Sequence, residues 1–138
     1  MPQSADFRTL ANMRAREALF LLRGSQWSGA YYLAGYAIEC AFKAYLAKEF
    51  RSWCMPDKNK VTKAHIHNLL ELAGQCNLAG LMDAHALSDP VFSTNWATVK
   101  DWSEESRYRI WTEIRATDMC RAVNDRNHGV LAWVKSRW

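Results

Sequence analysis

The sequence predicts an all-α protein, an up-and-down bundle of four to five helices formed as a single domain over residues 1–138. The chain contains only 6 Gly and 3 Pro, which are too few turn-forming residues for a many-stranded β architecture. Hydrophobic residues make up 49% of it, so a chain of this length can bury a substantial core. Along most of the sequence these residues recur at helical spacing, which favours helices packed against one another.

Two long helices are predicted in the first third of the chain. Apolar residues at helical spacing predict a first helix over 6–23, and Gly24 is a natural residue to end it. Either Ser25 or Ser28 can cap a second helix over 28–50. This second helix is apolar nearly all round, which predicts that it lies at the centre of the bundle.

Three residues stand out within this second helix. Gly35 lies near its middle, where glycine costs about 1 kcal/mol relative to alanine, so we expect a packing or functional reason for it. Glu39 and Lys43 are four residues apart and share a helix face, so they can form an ion pair. The two charges make a membrane-spanning helix unfavourable. They either fix the helix as a buried pair or contribute to a polar cleft that binds nucleotide or phosphate.

Shorter elements are predicted in the middle of the chain. A loop over 51–64 is followed by a third helix over 64–75 and a short helical piece over 78–86. The tripeptide Ser-Asp-Pro at 88–90 is typical of a turn, or of a helix start with proline in the first turn. Residues 91–102 are ambiguous, although their apolar side chains are helically spaced.

A long helix is predicted from Ser103 to about Val134, with Gly129 as the place where it can break. Ser103 and the two glutamates that follow it form a cap and an acidic first turn. Residues 107–138 carry seven basic side chains, six of them Arg, against three acidic ones, which accounts for the whole net charge of +4. Guanidinium groups bind phosphate in a bidentate manner, so this region predicts a phosphate-facing helix. A solvated helix surface is the alternative.

Arg121, Asn124, Asp125 and His128 are predicted to lie in one row on this last helix, because seven residues make two helical turns. An imidazole that titrates near neutral pH can activate a ribose 2′-hydroxyl or protonate the leaving oxygen in RNA cleavage. A guanidinium can stabilise the charge that develops on the phosphate oxygens, and no metal is required. The alternative is that the four polar side chains simply occupy the solvated face of a helix.

Arg107, Tyr108 and Arg109 form a second candidate site, at the start of the same predicted helix. Two guanidinium groups and a phenol can clamp a phosphate. The alternative is that the two arginines are surface charges and that Tyr108 packs inward.

His65, His67 and the four cysteines form no recognisable metal site. Their spacings match no standard zinc module, so we predict no metal and no other cofactor. His65 and His67 are expected to cap the third helix or to pack at its start. The cysteines are scattered, as in reduced cytoplasmic proteins, and Cys40 is expected to be a buried, unreactive thiol. The sequence begins without a signal peptide, so we expect a cytoplasmic protein that makes no membrane contact.

The chain contains seven Trp residues, more than so small a core can comfortably hold. We therefore expect some of them at an interface, where amphipathic aromatic side chains are enriched. Base stacking is the alternative use. Their number accordingly favours a homodimer.

Four segments, in order along the chain, resemble the HEPN (higher eukaryotes and prokaryotes nucleotide-binding) domain family. Residues 28–46, SGAYYLAGYAIECAFKAYL, resemble the family's second helix, and residues 67–72, HNLLEL, resemble the start of its next helix. Residues 102–108, WSEESRY, are similar to the beginning of a late helix of the family. Residues 129–134, GVLAWV, are similar to the apolar tail of the family's members.

The resemblance implies an up-and-down helical bundle that is usually dimeric. Many members are metal-independent RNases, often toxins or defence effectors, with an Arg-x(4–6)-His motif on a late helix and two copies facing each other across the dimer cleft. Arg121 and His128 have six residues between them and match this motif, with Asn124 and Asp125 as the polar residues beside them. The implied partners are RNA or nucleotide, a second copy of the chain, and a cognate antitoxin.

Other members of the family bind nucleotides or partner proteins, such as a nucleotidyltransferase-type protein, without cleaving RNA. Active members usually have Asn, Asp or His directly after the Arg, whereas Ala122 follows Arg121 here. The residues that matter under this alternative are Glu39, Lys43, His67, Arg107 and Tyr108. A helical dimerisation domain without a ligand is a third hypothesis, which the Arg-rich last quarter of the chain disfavours.

Overall fold

The structure, a computed structural model, describes residues 3–52 and 67–138. Over these residues it is all-helical, with seven α-helices, one 3₁₀ helix and no strand. The α-helices are α1 (Ser4–Arg23), α2 (Trp27–Ser52), α3 (Leu69–Gln75), α4 (Ala79–Ser88), α5 (Pro90–Val99), α6 (Glu113–Asn124) and α7 (Val130–Lys135). The 3₁₀ helix spans Glu104–Tyr108. None of the helices in the described ranges has the length and apolar character needed to cross a membrane.

The all-helical prediction is confirmed, but the expected count of four to five helices is wrong for the described part of the chain. α1, α2 and α4 begin and end within two residues of their predicted bounds. The predicted third helix starts later, at Leu69, and most of the loop predicted over 51–64 lies outside the described residues. The tripeptide at 88–90 starts a helix: Asp89 caps α5 and Pro90 occupies its first turn.

The long helix predicted over 103–134 is wrong, because the chain leaves the helical conformation twice. A capping box at Ser103 starts only the short 3₁₀ helix. Arg109 is extended, with φ −107° and ψ 152°, and the side chain of Thr112 then caps α6. The second break follows α6, at the predicted position near Gly129.

The corners that end α1 and α3 each contain a left-handed residue that is not glycine. Ser25 has φ 61° and Asn77 has φ 58°. In each corner the next N–H donates to a carbonyl five residues earlier, which is the Schellman arrangement. Neither predicted serine caps α2, because Ser25 belongs to this corner. The Oγ of Ser28 instead accepts a hydrogen bond from the N–H of Trp111 at 2.9 Å.

α2 lies at the centre of the structure, as its apolar sequence predicts. It contacts α1, α3, α6, α7 and the 3₁₀ helix. Its small residues allow these neighbours to approach closely, and five of them are 0% exposed: Ala30, Ala34, Ala37, Ala41 and Ala44. Residues from all seven α-helices contribute to the same hydrophobic core.

Gly35 has the packing role that its position inside a helix suggests. The indole of Trp102 lies directly against it, so that a Cβ built on Gly35 would be 2.2 Å from Cδ1 of Trp102. Trp102 is 0% exposed, and Tyr32 stacks on it with ring centroids 5.6 Å apart. The missing side chain at Gly35 is therefore what allows Trp102 to enter the core.

Six of the seven Trp residues belong to the described ranges, and none of these six is exposed. The buried ones are Trp96, Trp102 and Trp133, and the half-buried ones are Trp27, Trp111 and Trp138. The core thus holds three of these rings, and Gly35 on α2 makes room for one of them, Trp102. The other three are only partly buried, and the use of Trp residues at a homodimer interface or in base stacking stays a prediction.

We predict that Gly35→Ala lowers the free energy of unfolding. The added methyl group collides with a buried indole, and overpacking of this kind costs about 1–3 kcal/mol, against the roughly 1 kcal/mol that alanine gains in a helix. Urea unfolding followed by circular dichroism measures the change. The matched control is Gly80→Ala in α4, where nothing lies within 4 Å of the added Cβ, so its stability should stay equal or rise. A Gly35→Ala protein as stable as Gly80→Ala would contradict the packing role.

Candidate functional site

The structure places His128 in the turn between α6 and α7, opposite Asp89 at the start of α5. Nδ1 of His128 lies 2.7 Å from Oδ2 of Asp89. The other carboxylate oxygen, Oδ1, accepts a hydrogen bond from the N–H of Phe92 at 3.0 Å, as expected of an N-cap residue. The helix cap therefore fixes the carboxylate that holds the imidazole.

Hydrogen bonds to the backbone hold the turn around His128 from two sides. Oδ1 of Asp125 accepts hydrogen bonds from the N–H of Asn127 at 2.9 Å and from the N–H of His128 at 2.8 Å. Nδ2 of Asn95, on α5, donates to the carbonyl of His128 at 2.9 Å. A Cβ added at Gly129 would lie 2.3 Å from the carbonyl oxygen of Asp125, so glycine is required for the turn to close.

The side chain of His128 is oriented but still accessible. It is 41% exposed, whereas that of Asp89 is 15% exposed. Because Nδ1 donates to the carboxylate, Nε2 carries the lone pair of the neutral ring, and Nε2 forms no hydrogen bond within the described residues. The hydrogen bond with Asp89 raises the pKa of His128, and the same bond lowers the pKa of Asp89. Nε2 is therefore the atom at which the ring can take up and release a proton.

A second imidazole shares the same carboxylate. Nε2 of His85, near the end of α4, lies 3.5 Å from Oδ2 of Asp89, and its ring packs edge-on against Phe92 with centroids 4.7 Å apart. Sequence reasoning missed both His85 and Asp89 as site residues. The only signal was the Ser-Asp-Pro tripeptide, which predicts a helix cap, whereas Asp89 and His128 are 39 residues apart and no local spacing connects them.

The predicted row of Arg121, Asn124, Asp125 and His128 on one helix face is wrong, because α6 ends at Asn124. Arg121 lies in the last turn of α6 and is exposed, whereas His128 lies beyond the helix. Nδ2 of Asn124 donates to the carbonyl of Cys120 at 3.2 Å, and the carboxylate of Asp125 binds the backbone of the turn. Of the four side chains, those of Arg121 and His128 remain open to a ligand. They do not lie on one helix face as predicted, because His128 is outside α6.

Asn124 and Asp125 contribute instead to a cleft between α1, the end of α6 and α7. This cleft has a volume of about 420 Å³. Its polar lining residues are Asn12, Arg16, Asn124, Asp125, Arg126 and Lys135. Neither Arg121 nor His128 lines it. Sequence reasoning did not single out the residues from α1, because no local pattern predicts which face of α1 meets the end of α6.

Arg107, Tyr108 and Arg109 lie in and just after the 3₁₀ helix rather than at the start of a long helix. The guanidinium of Arg107 donates to the hydroxyl of Tyr108 at 2.8 Å and lies 4.8 Å from the centre of its ring. Tyr108 is 74% exposed, so the alternative that it packs inward is wrong. The guanidinium of Arg109 lies 6.0 Å from the ring centre of Trp111. The three residues form an exposed cationic surface, and phosphate binding by this surface stays a prediction.

Glu39 and Lys43 form the predicted ion pair, and the carboxylate is buried. Oε2 of Glu39 lies 3.2 Å from Nζ of Lys43, and the two side chains are 2% and 12% exposed. Oε1 of Glu39 lies 2.9 Å from Nδ1 of His67, whose Nε2 lies 3.5 Å from Oε2 of Glu104. This cluster connects α2 to the start of α3 and to the 3₁₀ helix. Both oxygens of the buried carboxylate are paired, as a structural connection requires, and phosphate binding by Glu39, Lys43 and His67 stays a prediction.

The described residues contain no group of three or more His, Cys, Asp or Glu side chains that could hold a metal ion. His65 lies outside these residues. The cap of α3 is Asn68, whose side chain accepts a hydrogen bond from the N–H of Glu71. His67 therefore does not cap the helix but packs at its start, against Glu39, which was the alternative expectation. Cys40 is buried, as predicted, and burial raises the pKa of its thiol to about 11.

Comparison with known proteins gives no family, relative or structural neighbour for this arrangement. No family model, no curated protein and no solved structure matches the chain. The residues that point to a function are therefore those of the site itself, above all His128 and Asp89.

We predict that Asp89→Asn lowers the pKa of His128, because an amide does not stabilise the imidazolium as a carboxylate does. His128, with its raised pKa, contributes stability that is fully present below its unfolded pKa and is lost as pH rises through the folded one. Asp89, with its lowered pKa, contributes stability above its unfolded pKa and loses it as pH falls through the folded one. The pair is therefore most stabilising at mildly acidic pH, between the unfolded pKa values of the two groups.

An NMR titration of the imidazole signals and urea unfolding over roughly pH 4–8 measure both effects. Asp83→Asn is the matched control, because Asp83 is exposed on α4 and should leave the pKa of His128 unchanged. If His128 titrates at the same pH in Asp89→Asn as in the wild type, the carboxylate does not hold the imidazole in solution.

Proposed function

We propose that this protein is a HEPN-type, metal-independent endoribonuclease in which His128 acts as general acid and base. The observation that carries the proposal is the 2.7 Å contact between Nδ1 of His128 and Oδ2 of Asp89, which leaves Nε2 open to exchange a proton with RNA. The all-helical structure, with an apolar helix at its centre and the Glu39–Lys43 pair on that helix, supports the HEPN-like bundle that the sequence resemblance implies.

The proposed reaction needs no metal or other cofactor. Nε2 of His128 takes the proton from a ribose 2′-hydroxyl while the oxygen attacks the adjacent phosphorus, and the bond from phosphorus to the 5′-oxygen of the next nucleotide breaks. That 5′-oxygen leaves as a hydroxyl by taking the proton back from Nε2 of His128, which restores the neutral ring, and the other product ends in a 2′,3′-cyclic phosphate. Asp89 stabilises the imidazolium that forms. A guanidinium beside the phosphate offsets the negative charge of the transition state.

Arg121 is the guanidinium that we assign to this role, in a composite site at a homodimer cleft. Its side chain is exposed at the end of α6 and forms no ion pair within the described residues. Because α6 ends before His128, helical register does not align the two side chains within one chain. A second copy can bring its own Arg121 to the phosphate, as the two facing motifs of the HEPN family do.

Exposed apolar side chains beside the cationic residues Arg107 and Arg109 support the homodimer. Ile110 is 96% exposed, Ile114 is 73% exposed and Tyr108 is 74% exposed. These side chains lie within seven residues of each other, between the 3₁₀ helix and the first turn of α6. Clusters of exposed large apolar side chains mark interaction surfaces on soluble proteins, and a second copy of the chain is the occupant that the resemblance implies.

A HEPN module that binds nucleotide, RNA or a partner protein without cleavage is the second candidate. One observation favours it: Ala122, directly after Arg121, is 1% exposed. Active HEPN members usually carry a polar residue at this position, whereas here the position faces the core. A cognate antitoxin or a nucleotidyltransferase-type protein is the partner class that this candidate implies.

We predict that the purified protein cleaves RNA in the presence of EDTA and that His128→Ala slows cleavage by about 10²–10⁴-fold, the usual contribution of a general acid or base. Arg121→Ala should cause a loss of similar size, and the products should carry 2′,3′-cyclic phosphate ends. Arg23→Ala is the matched control for Arg121→Ala, since Arg23 also lies in the last turn of a helix and is exposed.

Two outcomes would contradict this assignment. Equal cleavage by His128→Ala and the wild type would remove His128 from the mechanism. No cleavage by the wild type over a broad set of RNAs would reject the RNase function and favour the module that binds without cleaving.

We predict that Ile110→Glu combined with Ile114→Glu converts a dimer into a monomer, because burying two new carboxylates at an interface is strongly unfavourable. Size-exclusion chromatography with light scattering measures the mass of wild type and variant. Leu87→Glu is the matched control, because Leu87 is 90% exposed on α4, away in sequence from this surface. A monomeric wild type, or a dimer unchanged by the two glutamates, would contradict the proposed interface.

A further inference from the structure

We propose that Arg126 is a second guanidinium of the candidate site, contributed by the same chain as His128, and that it binds the phosphate group at which the proposed cleavage occurs. Arg126 lies two residues before His128, in the turn between α6 and α7. It lines a small hollow beside the Asp89–His128 pair. For its chemistry this inference rests on the proposed RNase function, and it adds a residue that the Arg-x(4–6)-His spacing does not identify.

The hollow lies between the end of α4, the start of α5 and α7, and has a volume of about 240 Å³. His85 lines it, and Nε2 of His85 lies 3.5 Å from Oδ2 of Asp89, the oxygen that also binds Nδ1 of His128. Asn127 and Gly129, the neighbours of His128 in the chain, line it as well. A group that occupies the hollow therefore adjoins the residues that hold His128 in place.

The polar lining of the hollow selects an anion. It consists of the side chains of Arg126, His85, Asn127 and Ser136, and none of the described residues that line the hollow is acidic. Guanidinium, amide and hydroxyl groups all donate hydrogen bonds, and so does an imidazole. The hollow thus offers hydrogen-bond donors and a permanent positive charge without a competing carboxylate, which is what phosphate oxygens require.

The guanidinium of Arg126 is available, and the backbone that carries it is held in place. Arg126 is exposed and forms no ion pair within the described residues. Oδ1 of Asp125 accepts hydrogen bonds from the N–H groups of Asn127 and His128. The carbonyl of Asp125 accepts one from the N–H of Gly129 at 3.0 Å. One hydrogen-bonded turn therefore presents both the guanidinium and the imidazole.

The size of the hollow suits one phosphate group of a longer chain. Its volume of about 240 Å³ lies below the range of about 300–1,000 Å³ that sites for whole small molecules occupy. The aromatic residues in its wall, Phe92 and Trp133, are 0% and 7% exposed, so their rings are too deeply buried for a base to stack on them. The contact therefore involves the phosphate and not a base.

Arg126 acts on charge and not on protons. As the ribose oxygen attacks, negative charge increases on the two non-bridging oxygens of the phosphate, and a guanidinium placed there stabilises the transition state more than the ground state. No proton moves to or from Arg126, so the proton transfers of His128 are unchanged. Arg121 comes from a second copy in the proposed dimer, whereas each chain carries Arg126 beside its own His128.

The rate of RNA cleavage in EDTA tests the role of Arg126. Arg126→Gln should lower kcat about 10²–10³-fold, the usual loss for one donor to the developing charge. Arg126→Lys, which keeps the charge without the bidentate geometry, should recover part of that loss. Arg16→Gln is the matched control and should cleave as the wild type does. Arg16 and Arg126 both line the cleft between α1, the end of α6 and α7, but Arg16 does not line the hollow.

Two results of this comparison would overturn the assignment. Cleavage by a folded Arg126→Gln protein at the wild-type rate removes Arg126 from the site. Equal losses in Arg16→Gln and Arg126→Gln place the phosphate contact in the cleft and not in the hollow.

Binding of inorganic phosphate tests the hollow without any cleavage. In an amide NMR titration at constant ionic strength, phosphate should move the signals of Asn127, Gly129 and Ser136 in the wild type and in His128→Ala, but not in Arg126→Gln. A wild type that binds phosphate in this way without cleaving RNA rejects the RNase function and retains Arg126 as the phosphate-binding residue. The inference is overturned if about 50 mM phosphate moves none of these signals in the wild type, or moves them equally in folded Arg126→Gln.

Discussion

The contact between Gly35 and Trp102 is the constraint on which the rest of the structure depends. It allows a buried indole to dock on the central helix at the point where the chain leaves α5. Trp111 docks a few residues later, stacked on Tyr31 of α2 with ring centroids 3.6 Å apart, while its Nε1 donates to the carbonyl of Ser106. The chain between the two indoles is thereby held against α2, and the position of α6 follows from it.

Two carboxylates in this fold have different surroundings, and they differ in what they leave open to a ligand. Glu39 is 2% exposed, and both of its oxygens meet cationic or imidazole partners within the protein. Asp89 is 15% exposed, and the imidazole it holds has its second nitrogen open. The buried Glu39 carboxylate connects α2 to its neighbours, whereas an imidazole with one fixed and one open nitrogen can transfer protons. The candidate site therefore forms at the N-cap of α5, where one oxygen of Asp89 caps the helix and the other binds the imidazole of His128.

Local sequence patterns predicted the features that depend on local physics. Apolar spacing located α1 and α2, four-residue spacing paired Glu39 with Lys43, and the cost of glycine in a helix indicated a packing role for Gly35. The prediction of a single long helix was wrong because the docking of Trp111 on α2 imposes the extended conformation at Arg109. This docking is a tertiary contact, which local spacing does not reveal. For the same reason the partner of His128 and the residues that α1 brings to the cleft could not be deduced from spacing.

The chemical reactivity of the buried Cys120 thiol can report how often the helices around it separate. Its Sγ lies 3.9 Å from the carbonyl oxygen of Ala18 and 3.8 Å from that of Ala30, where α1, α2 and α6 meet. Burial raises the pKa of this thiol to about 11, so almost no thiolate exists at neutral pH. An alkylating reagent can reach it only when the three helices separate, and the rate of labelling then measures how often the centre of the molecule opens.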